Sequence, residues 1–71
     1  MREKTVSAIL AHAASSCPDE CCGVVIQKGR VEKYIPCRNQ AESPTEQFEL
    51  SPEDYAAAEE QGTVVAIVHS H

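Results

Sequence analysis

Three residues of this 71-residue chain have side chains and positions suited to metal-assisted hydrolysis: Glu20, His69 and His71. The two histidines, separated by Ser70, follow five apolar and mostly β-branched residues, Val64-Val65-Ala66-Ile67-Val68. Such a run reads as a buried strand covered on both faces. Side chains two residues apart on an extended chain project to the same side, so both imidazoles can converge on one ion. Imidazole nitrogen binds Zn²⁺ at about 2.0–2.1 Å. Glu20 opens another apolar stretch, within Pro18-Asp19-Glu20-Cys21-Cys22-Gly23. A carboxylate at the end of a core strand, in a sheet whose central strand carries two imidazoles, is placed to take a proton from a metal-activated water and return it. Gly23, just inside that strand, signals a bulge or a close backbone approach.

The elements that must position these residues are legible in outline. Val6, Ile9, Leu10, Ala13 and Ala14 approximate one face of a helix over residues 3–15, ended by Ser15-Ser16-Cys17-Pro18. Residues 21–36 read as a β-hairpin with its turn at Lys28-Gly29. Residues 38–46 form a polar loop without periodicity, and by position the 38–50 segment is the candidate for substrate contact. Phe48-Glu49-Leu50 resembles a short strand. A second helix starts where Ser51 can cap, Pro52 fits the first turn, and Glu53 and Asp54 favour the positive dipole end. It stops at Gly62, a suitable residue just past a helix end. The expectation is an α/β fold, a mixed sheet flanked by two helices, with residues 1–71 a single partial domain.

Size and charge narrow the function. A chain this short buries only about 60% of the surface it exposes unfolded. The net charge is −5, with no basic run or basic-aromatic cluster, which argues against nucleic acid or an anionic membrane as the main partner. No apolar run approaches the ~20 residues that span a bilayer. The amino terminus lacks a signal-peptide apolar region, so the expected location is cytoplasmic.

Four cysteines, at 17, 21, 22 and 37, raise three readings: packed free thiols, a structural Cys₄ zinc site, and disulfides. The spacing favours the first, because Cys37 lacks the partner that two zinc-binding pairs require. A thiol nucleophile at Cys21 or Cys22 is disfavoured by the neighbouring Asp19 and Glu20, which oppose a thiolate.

Taken singly, a His-x-His pair is more often two packed or surface imidazoles than a ligand set. Together, Pro-x-Glu-x-Cys-Gly at Pro18–Gly23 and a hydrophobic strand ending in His-Ser-His at His69–His71 resemble the JAMM/MPN+ zinc metallopeptidase domain, also called JAB, whose fold is cytidine-deaminase-like. The resemblance implies a zinc-dependent peptidase or isopeptidase acting on a peptide or isopeptide substrate. It makes Glu20 the catalytic acid/base and His69 and His71 metal ligands. It also implies that a downstream Ser and Asp complete the site; without them the segment is expected to bind Zn²⁺ weakly and to be inactive. Within that family the chain is similar to domains that open lambdoid-phage tail assembly proteins. That implies other tail proteins as partners and an NlpC-type cysteine peptidase domain downstream. A noncatalytic scaffold module is the alternative.

Overall fold

A computed structural model describes residues 1–70; His71 lies outside the described residues. The chain runs α1 (Glu3–Ser16), β1 (Cys22–Lys28), β2 (Val31–Cys37), α2 (Pro52–Gln61) and β3 (Thr63–His69). The strand order is β2-β1-β3, and both outer strands pair antiparallel with β1. Where the sequence led us to expect a mixed sheet, every described pairing is antiparallel. The outer strands therefore run parallel to each other, and α2 makes the crossover between them over the central strand, a split βαβ arrangement.

β1 holds the core. Cys22, Val24 and Val25 are at most 1% exposed, and Cys22, Val24 and Ile26 pack with Cys37 and Ala58 of α2. Gly29 links β1 to β2 at φ 61°, a positive value at the first of two linking residues, where hairpin turns favour glycine. Gly23 realises the close approach expected of it. A Cβ there would lie 2.5 Å from the Tyr34 ring and 2.6 Å from the Ile35 carbonyl oxygen. The irregularity in register falls elsewhere, between Val25 and Ile26 against β3.

α2 begins as its sequence dictates. Ser51, fully buried, accepts a hydrogen bond from the Asp54 N–H at 3.3 Å, and Pro52 occupies the first turn. Its end differs from expectation. Gly62 is extended (φ 172°) rather than left-handed, and its value lies in bulk, because a Cβ there would meet the Gln27 carbonyl oxygen at 2.9 Å.

Two further expectations are corrected. α1 is present, and Ile9 and Ala13 of its expected face are half-buried, but Thr5, His12 and Ser16 share the seated side while Val6 and Leu10 are exposed. Polar contacts set this rotation: the backbone N–H of Arg2 donates to Glu32 at 2.8 Å, and His12 Nδ1 lies 2.7 Å from the Tyr34 hydroxyl. The strand before the histidines is also neither central nor covered on both faces. β3 is an outer strand of the described sheet, its burial alternates, and Val65 and Ile67 are more than half exposed. A continuous apolar run cannot by itself distinguish a covered strand from an edge.

Candidate metal and acid/base site

Glu20 lies just before β1, outside the ladder, yet its backbone is held at both ends. Its N–H donates to the Pro44 carbonyl at 2.7 Å, and its carbonyl accepts from the Asn39 side chain at 3.0 Å. This anchoring leaves the Glu20 side chain only 10% exposed. At the other end of the chain, Cys22 pairs with His69. Beyond that pair the Ser70 N–H donates to the Cys21 carbonyl at 3.0 Å, and the Cys21 N–H donates to the Ser70 hydroxyl at 2.8 Å. The His-Ser segment is thereby stitched to the residue that follows Glu20.

The result is a carboxylate beside an imidazole. Glu20 Oε1 lies 3.6 Å from His69 Nδ1, too long for a hydrogen bond but within contact range of the ring. The His69 side chain is 44% exposed, and Phe48 stacks on it with ring centroids 4.3 Å apart and planes at 14°. Glu20 also borders an open cleft of about 540 Å³ between the end of α1 and the start of β1, shared with His12, Asp19 and Arg38.

Of the three residues singled out from sequence, Glu20 and His69 are brought together, and His71 falls outside the described residues. Among the described residues, no group of three or more His, Cys, Asp or Glu side chains forms a metal-binding cluster. The described donors, one imidazole with a carboxylate beside it, are of the types a zinc site uses but are fewer than the three protein ligands usual for catalytic zinc. Sequence reasoning missed Phe48, taken for part of a short strand; only an isolated bridge, Asn39 to Leu50, occurs there. It also missed Asn39. The sole available signal was an Asn in a polar loop, a residue able to bond nearby backbone.

The thiols stand apart from this chemistry. All four cysteines are free, and only Cys17 is exposed. Burial, reinforced by Cys37, Cys21, Asp54 and Glu20, pushes the Cys22 thiol up to about 11, and burial likewise raises Cys37. A thiol held protonated is a poor nucleophile. Nearby, Asp54 is drawn below the usual carboxylate range, first by the Arg38 backbone N–H at 2.8 Å and then by its guanidinium. This contact ties the start of the 38–50 segment to α2.

Comparison with known proteins fixes the family. A model of prokaryotic homologues of the JAB domain matches residues 2–71, and the chain belongs to that family. It is 72% identical over all 71 residues to the tail tip assembly protein K of Escherichia phage N15, covering 29% of that protein. It is 37% identical over 82 aligned positions to the CysO-cysteine peptidases of Mycobacterium bovis and Mycobacterium tuberculosis, covering 53% of each. The chain thus spans under a third of the phage relative and about half of the peptidases. No solved structure matches it. Among the described residues, no helix is long and apolar enough to cross a membrane.

Proposed function

We propose that this chain is part of a zinc-dependent peptidase or isopeptidase domain in a phage tail tip assembly protein, with Glu20 as the acid/base and His69 and His71 as ligands. The observation that carries the reading is the approach of Glu20 to His69 at 3.6 Å, with the carboxylate almost shielded from solvent. Membership of the JAB family and likeness to a named peptidase support the reaction class, and likeness to the phage protein supports the setting.

In this reading His69 and His71 would hold the ion, and the third protein ligand usual for catalytic zinc is not among the residues assigned to it. When bound there, zinc would supply Lewis-acid polarisation of a carbonyl and a water whose pKa lies near ~7. Glu20 takes a proton from the attacking water and returns it to the leaving amine. Its low exposure keeps bulk water from competing for that proton, and the backbone clamps from Pro44 and Asn39 hold it in place. Phe48 fixes the plane of the His69 ring. Substrate peptide approaches along the 38–50 segment and the cleft bordering Glu20.

The test is zinc content. Titration with a competing chelator should show one weakly held Zn²⁺ per chain, lost when His69 and His71 are both replaced by Ala. Unchanged zinc in that double variant ends the ligand assignment.

A second reading, a noncatalytic module that binds another tail component, is favoured by the assembly name of the phage relative. It predicts tail assembly that is indifferent to Glu20→Gln.

A further inference from the structure

We propose that Asn39 is a positioning residue that sets the backbone of Glu20 and ties it to the segment carrying Phe48. The inference rests on the reading of Glu20 as the proton carrier. It goes further in naming what holds that group in register with His69.

Glu20 precedes β1, so no strand ladder fixes it, and both of its backbone groups bond to the 38–50 segment. The Asn39 amide is the centre of that segment. Its Nδ2 donates toward the carbonyl oxygens of Glu20, Pro44 and Gln47 at 3.0, 3.3 and 2.8 Å. Its Oδ1 accepts from the backbone N–H groups of Ala41 and Glu49, both at 3.0 Å. A primary amide has two N–H donors and two oxygen lone pairs, so this side chain is saturated, with one donor shared. Pro44 is itself the acceptor for the Glu20 N–H. One amide therefore orders the loop that grips Glu20, and the same loop presents Phe48 to His69 at 4.3 Å. An aspartate of the same shape would keep the two accepted bonds. It would lose every donated one and set a carboxylate against three carbonyls.

NMR on the 71-residue chain tests this. In the wild type, the Asn39 side-chain amide protons should exchange with solvent at least tenfold more slowly than those of the exposed Gln40; equal rates overturn the proposal whatever any variant does. In Asn39→Asp, the Glu20 amide should exchange at least tenfold faster while the Val24 and Val25 amides keep their rates. The nuclear Overhauser contact between the Glu20 side chain and the His69 ring should disappear. Retention of both, or equal loss of protection across β1, overturns the positioning role. Absence of the Glu20–His69 contact in the wild type, with the Glu20 amide still protected, would instead sink the proposed function and leave the Asn39 clamp standing.

Discussion

The ring of Phe48 lies nearly flat on the imidazole of His69, with centroids 4.3 Å apart and planes at 14°. Phe48 is half-buried and also packs against the core cluster of Cys22, Val24, Ile26, Cys37 and Ala58. One side chain thus connects the hydrophobic core to the candidate site. Such a ring contributes through buried area and through the aromatic pair, the latter about 0.5–1.5 kcal/mol.

Phe48→Ala should therefore destabilise the chain by about 1–3 kcal/mol, below the cost at a fully buried Phe. It should also remove the ring-current shift from the His69 ring protons. Phe48→Leu should recover most of the stability and none of the shift. Urea midpoints and proton spectra of the two variants check both parts; an unmoved His69 spectrum in Phe48→Ala would show that the stack does not form in solution.

Glu20→Gln keeps the shape of the side chain and removes its capacity to carry a proton. On the proposed function, hydrolysis by a longer, active form of the domain should fall by at least ~100-fold, the lower end of what general acid–base catalysis contributes. Zinc content should stay unchanged, because Glu20 is assigned no bond to the ion. Paired measurements of turnover and bound metal decide it: loss of metal would make Glu20 a ligand, and undiminished turnover would remove it from the chemistry.

The buried thiol at Cys22 gives the stability a definite pH dependence. In the unfolded chain the thiol ionises near 9, whereas in the fold it is held up to about 11. Between these values the folded state binds more protons, so stability is fully present below pH 9 and is lost as pH rises toward 11. The loss amounts to roughly 2–3 kcal/mol at most. Tyr34, pushed upward chiefly by burial, acts with the same sign at the upper end. Urea midpoints at pH 8 and pH 10.5 should differ in the wild type and differ less in Cys22→Ala. Equal midpoints in the wild type would rule out a desolvated thiol at this position.

Local chemistry was readable wherever it depends on neighbours in sequence. The Ser51-Pro52 start of α2, the Gly29 turn and the close approach at Gly23 all follow from short-range rules. The rotation of α1 did not, because it is set by Glu32 and Tyr34 on a distant strand rather than by the apolar spacing of Val6 and Leu10. The outer position of β3 among the described strands was hidden for a similar reason. Its run of Val and Ile suits covered and uncovered strands alike, and only the pairing with β1 separates them. At the site, the motif pointed to Glu20, His69 and His71, of which the first two lie side by side and the third is outside the described residues. The Asn39 amide and the Phe48 ring carry no spacing signal, since their partners lie across a loop without periodicity.

Gly23 links this local legibility to the site, because it stands three residues after Glu20 where β1 and β2 press together. An added Cβ would meet Tyr34 Oη and Cε1 at 2.5 Å and the Ile35 carbonyl oxygen at 2.6 Å. The Tyr34 ring cannot swing away freely, being buried and joined to His12 at 2.7 Å. The Ile35 carbonyl belongs to the strand that pairs with β1. Gly23→Ala should therefore cost at least the 1–3 kcal/mol typical of overpacking and should break the His12–Tyr34 contact. Gly29→Ala meets open space and is strained only by its φ of 61°, at about 1–2 kcal/mol, with His12–Tyr34 intact. Urea unfolding of both variants, with the His12 ring signals as the local reporter, separates the two mechanisms. A Gly23→Ala chain as stable as the wild type would mean that the strands lie farther apart than the register of Gly23 with Pro36 requires.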